Sequence, residues 1–228
     1  MMLKLDFFLV FLLTHLIGDF VLQTNRIAKL KATTMKGLIL HSIIVMAVQV
    51  ALMSLFGVNG TAAAVISGIA HFMLDYSKNL LYRYFERLQF FYFILDQLMH
   101  IVIIVFLTML FAGNSPVSAY QFYIRLLISL LILGYAATVA VKILLGDLHM
   151  CVGGQNFFKA HERQFDALSA IICWSIWHLP QIWGLLLVLA VFLPYSICQK
   201  KIFGYDTKVT SVKYFALAAI AFLLMTIM

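Results

Sequence analysis

Residues 90–112 read FFYFILDQLMHIVIIVFLTMLFA, a continuous apolar run that contains one acid, Asp96, and one histidine, His100. A bilayer span requires about 20 apolar residues, so this stretch predicts a transmembrane helix. Side chains four residues apart share one face of a helix, and Asp96 and His100 have this spacing. Because a charge near the middle of a bilayer costs roughly 2.5–3.5 kcal/mol, a carboxylate at this depth indicates a function.

The composition indicates a polytopic membrane protein. The chain has 228 residues, of which 64% are hydrophobic and 11% are charged. Soluble proteins have about 25% charged residues. The apolar runs are long and continuous rather than alternating, which favours α-helices over a β-barrel. We therefore expect an all-α polytopic membrane protein.

The apolar runs divide the chain into membrane segments. Residues 165–198 are long for one span and contain Pro180 near their centre, so they predict a helical hairpin that turns there. With this hairpin the chain has about seven or eight membrane segments. Single spans are predicted at residues 5–23, 37–57, 61–80, 90–112, 120–146 and 210–227.

We interpret 1–228 as a single integral-membrane domain, in which 1–112 form a four-helix region with the His and Asp residues and 120–228 are supporting helices. Glu162 and Arg163 are predicted to form an ion pair where the hairpin begins.

The basic residues predict the orientation. Lysine and arginine accumulate in cytoplasmic loops, and they follow the first and third predicted spans, whereas residues 58–60 and 113–119 carry no charge. This explains the net charge of +7 without nucleic acid as a partner, and the lipid bilayer is the expected partner. We expect a multi-pass protein of the cell membrane with cytoplasmic basic loops. The residues that set this orientation are Arg26, Lys29, Lys31, Lys36, Lys78, Arg83 and Arg87.

Two further His/Asp pairs repeat the spacing of Asp96 and His100, and their predicted depths match. At about 1.5 Å per residue, the acids lie roughly 7–9 Å from the cytoplasmic ends of their spans, and their partner histidines roughly 13–15 Å. His41 lies about one turn inside the second span. Four helices therefore place ligand-type side chains in one layer. The candidates are His15, Asp19, His41, His71, Asp75, Asp96 and His100.

Imidazole and carboxylate together favour a divalent metal, with zinc first and manganese or iron as alternatives. Seven candidates exceed the four ligands of one tetrahedral zinc. Either two metals bind, or some aspartates accept hydrogen bonds from ligating histidines. Gln23 and Gln97 lie close to Asp19 and Asp96 in the sequence and are placed to orient water or a substrate oxygen.

These motifs resemble a known family. HLIGDFVLQTN at 15–25, His41, HFMLD at 71–75 and DQLMH at 96–100 are similar to a bacterial integral-membrane family, domain of unknown function 3307. The resemblance covers the first four spans and implies a bacterial inner-membrane protein. The pattern also resembles bacterial membrane-bound metal-dependent hydrolases, which place His and Asp in apolar helices.

We expect a membrane-embedded, divalent-metal-dependent hydrolase that acts on an amphiphilic or lipid-linked substrate from the cytoplasmic leaflet, with Asp19 or Asp96 as general base. One alternative is a transporter coupled to protons or divalent cations. Another is a non-catalytic scaffold whose helices are clipped together by the metal. A permeation path needs polar residues in the outer half of the same helices. Spans two and four have few there, namely Ser42, Gln49, Ser54 and Thr108, which favours a one-sided pocket.

Overall fold

The computed structural model describes residues 2–84, 88–112, 120–148, 161–176 and 181–227, and within these ranges every regular element is helical. Short π-helical turns at Ile17–Val21, Ile132–Ala136 and Gln199–Phe203 extend α1, separate α6 from α7 and follow α9. The α-helices are α1 (Met2–Leu16), α2 (Asn25–Thr33), α3 (Met35–Leu55), α4 (Thr61–Tyr84), α5 (Gln89–Phe111), α6 (Gln121–Leu131), α7 (Ala137–Asp147), α8 (Glu162–Ile176), α9 (Gln181–Cys198) and α10 (Thr207–Ile227).

The protein is an all-α polytopic membrane protein. Among the described residues, 5 helices are long and apolar enough to cross a membrane, or up to 6 if the bent pair of α1 and α2 forms one broken span. The predicted number of seven or eight is therefore not confirmed. α4 has the length of a span but carries His71, Asp75 and Lys78, and α8 has only 15 residues. The helices that qualify are Met35–Leu55, Gln89–Phe111, Gln121–Asp147, Leu186–Phe203 and Thr207–Leu224.

A sharp bend follows the first helix. The segment Leu5–Val21 meets α2 at 87°, so residues that the sequence indicated as a loop form a helix that folds back toward α3. Thr24 caps α2 by accepting a hydrogen bond from the Ile27 N–H. Gly37 allows the close approach of α2, because a Cβ there would lie 2.3 Å from the carbonyl carbon of Leu30.

The first compact unit comprises Met1–Leu131. α1 packs against α3, α5 and α6, while α4 packs against both α3 and α5. The π-helical turn contacts α3 at Gly18, where a Cβ would lie 3.0 Å from the Cα of Val45. This contact brings the backbone around Asp19 close to α3, the helix that carries His41.

The second compact unit comprises Ile132–Met228. Its helix α8 contacts α7, α9 and α10 around a buried core that includes Tyr214 and Leu217. The predicted division of residues 165–198 into two helices is observed as α8 and α9. The predicted turn at Pro180 lies outside the described residues. The single-domain interpretation stays a prediction.

Candidate metal centre

All seven candidate ligands are buried in the first unit, with relative exposures from 0% to 6%. They form one connected group of side chains, which we call the His/Asp cluster, and α1 with its π-helical turn, α3, α4 and α5 contribute to it. Its members are His15, Asp19, His41, His71, Asp75, Asp96 and His100. The role of these residues as metal ligands stays a prediction.

Three side chains from three elements converge at the centre of the cluster. Asp19 Oδ1 lies 3.0 Å from His41 Nε2 and 3.8 Å from His71 Nε2, and the two nitrogens are 3.1 Å apart. At metal–ligand distances of about 2.0–2.1 Å, tetrahedral zinc needs its ligand atoms roughly 3.4 Å apart. The observed separations bracket this value, so the three atoms fit around one ion.

The proton count also favours a cation among these three atoms. Asp19 Oδ1 is an acceptor, and each imidazole Nε2 is either a donor or an acceptor. If His41 Nε2 donates to Asp19 and His71 Nε2 donates to Asp75 Oδ2 at 3.3 Å, two N–H groups face each other across 3.1 Å. A cation that accepts a lone pair from each of the three atoms avoids this repulsion.

Asp75 is the candidate for a fourth ligand. Its Oδ2 lies 3.3 Å from His71 Nε2 and 3.6 Å from His41 Nε2. The same carboxylate contacts two lysines, so its oxygens are shared between the imidazoles and the ammonium groups.

His15 and His100 extend the cluster on the other side of His71. Their rings stack at a centroid distance of 5.0 Å, and the His100 ring lies 4.4 Å from that of His71. His100 Nδ1 lies 2.7 Å from the backbone carbonyl oxygen of Asp96, which can only accept. In the neutral imidazole, Nδ1 is therefore the donor and Nε2 has the free lone pair.

That lone pair has no hydrogen-bond partner, and neither has His15 Nε2, although both atoms are buried. Unpartnered buried polar atoms are unfavourable unless water or an ion completes them. His15 and His100 are thus positioned to hold water or a second ion beside the Asp19–His41–His71 group.

Asp96 has one engaged and one free oxygen. Its Oδ2 accepts from Lys78 Nζ at 2.7 Å and from Gln97 Nε2 at 3.1 Å. Its Oδ1 is buried without a hydrogen-bond partner. Gln97 Nε2 also lies 3.4 Å from Asp19 Oδ2, so the amide links the two aspartates, and its role in orienting water or substrate stays a prediction.

Two lysines that the sequence indicated only as loop charges contact the aspartates of the cluster. Lys31 Nζ lies 3.1 Å from Asp75 Oδ2 and 3.7 Å from Asp19 Oδ1. Lys78 Nζ lies 2.7 Å from both Asp75 Oδ1 and Asp96 Oδ2. With neutral imidazoles, three carboxylates and two ammonium groups leave one uncompensated negative charge.

The sequence contained a signal for one of these lysines. Lys78 follows Asp75 by three residues on α4 and therefore shares its helix face. No local spacing identifies Lys31. It reaches the cluster because the chain bends by 87° before α2.

A second group of polar side chains in the first unit lies deeper along the same helices. Gln49 and Thr108 each follow a cluster histidine by eight residues, about 12 Å along α3 and α5, and Asp6 precedes His15 by a similar distance on α1. All three side chains are buried. Both side-chain atoms of Gln49, Thr108 Oγ1 and Asp6 Oδ2 lack hydrogen-bond partners, while Asp6 Oδ1 accepts from Gln121.

The second unit contains a separate buried ionic network. Glu162 contacts Lys142 Nζ at 3.1 Å and Lys213 Nζ at 2.7 Å, and Lys213 also lies 2.7 Å from Asp166. The sequence predicted an ion pair between Glu162 and Arg163 and did not predict these lysine partners. The guanidinium group of Arg163 lies 4.9 Å from the centre of the Tyr135 ring. The i,i+4 spacing of Glu162 and Asp166 was the available signal. Hydrogen bonds to the acids also come from Tyr195, Gln199 and Tyr205.

Fold and cluster together define the class: an all-α membrane protein with buried His and Asp side chains and half-buried Lys side chains between its first helices. The chain belongs to the family described as "Protein of unknown function (DUF3307)", whose sequence model matches residues 7–131. This match confirms the family resemblance, and the matched residues include the complete His/Asp cluster. No curated protein and no solved structure matches the chain.

Proposed function

We propose that the protein is a membrane-embedded hydrolase that requires a divalent metal and acts on an amphiphilic or lipid-linked substrate from the cytoplasmic leaflet. The observation that carries the proposal is the convergence of Asp19, His41 and His71, whose ligand atoms all lie within 4.8 Å of one another in the protein interior. Zinc is the first candidate because this mixed nitrogen and oxygen set suits it, with manganese or iron as alternatives.

We assign different roles to the two aspartates that are expected to be catalytic. Asp19 belongs to the convergent group and is assigned as a ligand. Asp96 Oδ1 is buried without a hydrogen-bond partner, 3.6 Å from His100 Nδ1, and is assigned as the general base that accepts a proton from the attacking water. A divalent ion, when bound, polarises the water and the scissile group.

The lysines favour an anionic substrate. Lys31 and Lys78 keep 11% and 13% of their side-chain surface exposed, more than the carboxylates that they contact. They therefore lie toward the accessible edge of the cluster, where ammonium groups attract a phosphate or carboxylate. The positive-inside rule assigns this edge to the cytoplasmic side of a bacterial inner membrane.

The hydrolase is tested by comparing Asp19→Asn with Asp96→Asn in purified protein. We expect Asp19→Asn to lose both bound metal and activity. Asp96→Asn should keep its metal and lose about 100-fold or more in hydrolysis, because only the base is removed. The substrates are vesicles that contain a lipid phosphomonoester, a phosphodiester or a carboxylic ester. Metal-replete wild type that cleaves none of them contradicts the hydrolase and supports a metal-clipped scaffold.

A second candidate is a transporter coupled to protons or divalent cations. The specific observation that favours it is the deeper group of Asp6, Gln49 and Thr108, because buried polar atoms without partners are typical of a hydrated path. Fluorescent-dye assays of proton and zinc entry into proteoliposomes test it. Metal-dependent flux that Gln49→Leu abolishes would establish transport, whereas its absence beside measurable hydrolysis excludes it.

A further inference from the structure

An apolar groove runs along α3 and α4 on the exposed surface of the first unit. Its volume is about 360 Å³, and Ile43 and Ile69, which line it, are 50% and 59% exposed. Gly68 forms part of its floor, where a Cβ would lie 2.7 Å from the side chain of Met46. The groove is lined by Ile39, Ser42, Ile43, Met46, Gly68, Ile69 and Phe72.

A more polar cavity of about 210 Å³ follows on the same two helices, beside the junction of α2 and α3. Its polar side chains are Lys31, Thr33, Thr34, Tyr76 and Asn79. The two cavities occupy consecutive turns of one helix pair. Leu38 lines the polar cavity and Ile39 the groove, and the rings of Tyr76 and Phe72 stack at 6.3 Å across the boundary.

Basic residues outnumber acids around the polar end, where Lys31 also contacts Asp75 at 3.1 Å and Asp19 at 3.7 Å. The sequence contains no acid between Asp19 and Asp75, whereas α2 and the start of α3 carry Arg26, Lys29, Lys31 and Lys36. A basic helix set at 87° to the apolar segment Leu5–Val21 is suited to lie along the bilayer surface, where anionic lipid headgroups collect.

We propose that the two cavities form one binding site for an anionic lipid, with its headgroup beside Lys31 and an acyl chain in the groove between α3 and α4. The residues from Thr34 to Met46 rise about 18 Å, so the groove extends from the headgroup level into the apolar layer. A polar end joined to an apolar groove matches an amphiphile better than a soluble anion.

The site is coupled to the His/Asp cluster through Lys31. This residue lines the polar cavity, and its Nζ lies 3.1 Å from Asp75. Ser42 and Phe72 in the groove directly follow His41 and His71 in the sequence. The inference that the bound lipid is the substrate rests on the proposed hydrolase function. The inference that the site binds a lipid does not.

Native mass spectrometry of detergent-purified protein tests the binding. Wild type should retain phosphatidylglycerol about fivefold better than phosphatidylcholine, the selectivity expected from one basic side chain at the headgroup. Ile43→Trp fills the groove and should abolish binding of both lipids. Its matched control is Val102→Trp, which changes a 56% exposed residue on α5 outside the groove and should bind normally. Lys31→Gln should lose the selectivity, whereas Lys208→Gln, which changes an exposed lysine of α10, should keep it.

Equal binding of the two lipids by wild type, or unchanged binding by Ile43→Trp, overturns the proposal. Metal content measured on the same samples separates it from the hydrolase. Loss of lipid from Ile43→Trp with full metal content supports the site. A metal-free wild type that still selects phosphatidylglycerol refutes the hydrolase and leaves the lipid site standing.

Discussion

Lys78 is the residue on which the charge balance of the His/Asp cluster depends most directly. Its ammonium group lies 2.7 Å from one oxygen of Asp75 and 2.7 Å from one oxygen of Asp96, and only 13% of its side chain is exposed. Buried carboxylates require a compensating charge. Lys78 supplies it to Asp96 and shares Asp75 with Lys31, and in the proposed metal site a divalent ion would supply part of it.

Lys78→Met should therefore be destabilised in the absence of metal and rescued by metal. Removing one partner of a buried ion pair costs about 3–5 kcal/mol. This variant removes the ammonium group that contacts Asp96 and leaves Asp75 with Lys31. Thermal unfolding in detergent with chelator should show a lower Tm than wild type, and added zinc should raise the Tm of the variant more than that of wild type. Lys29→Met, at an exposed position of α2, is the control and should change little. A zinc response equal to that of wild type would show that the freed carboxylates do not face a metal.

The convergence of the histidines and aspartates in one cluster could be predicted from the sequence because both members of each pair lie on the same helix. The i,i+4 rule puts both members on one face, and equal depth brings pairs on different helices together. The partner of Asp19 could not be predicted in this way. His41 reaches it because Gly18 permits the backbone of the π-helical turn to approach α3, a contact that no spacing rule encodes.

At the scale of elements, α8 carries its two acids into a buried network of lysines. Glu162 lies 2.7 Å from Lys213 and 3.1 Å from Lys142, and Asp166 lies 2.7 Å from Lys213. The charges of the two lysines therefore balance the charges of the two acids. Removing one charge unbalances the network, whereas removing Lys213 together with Asp166 leaves Glu162 paired with Lys142.

The variant Lys213→Met should lower the free energy of unfolding by about 3–5 kcal/mol. The double variant Lys213→Met/Asp166→Leu should recover part of this loss, although the donors Tyr195 and Gln199 then lose their acceptor. Denaturant unfolding of both single variants and the double variant measures the coupling. Additive losses would contradict the ionic network as described.

The long apolar helices were the predictable elements, since length and hydropathy alone define them. α2 was not predicted, because a polar segment after a span is equally compatible with a loop. α4 was predicted as a span, yet the polar residues that build the site keep it below the apolar helices in hydropathy. The side chains that supply the candidate ligands in α4 are therefore the ones that lower its mean hydropathy.

At the scale of the whole molecule, the family match and the architecture coincide. The family model covers residues 7–131, and the first compact unit ends at Leu131. The complete His/Asp cluster lies within these bounds. The ionic network of α7, α8 and α10 belongs to the second unit, which the family match does not reach.

Metal should consequently stabilise the first unit alone. Hydrogen exchange followed by mass spectrometry, with zinc or with chelator, should show slower exchange in α1, α3, α4 and α5 when zinc is present. Helices α7 to α10 should exchange at the same rate in both conditions. Protection confined to the second unit would contradict the assigned site.

The central claim is that Asp19, His41 and His71 hold a metal ion, and elemental analysis of purified protein tests it most directly. Wild type and the exposed control His161→Gln should each contain about one equivalent of zinc, manganese or iron, and His71→Gln should contain almost none. A folded wild type that remains metal-free after incubation with these ions would contradict the claim. Equal metal in His71→Gln and in wild type would contradict it as well.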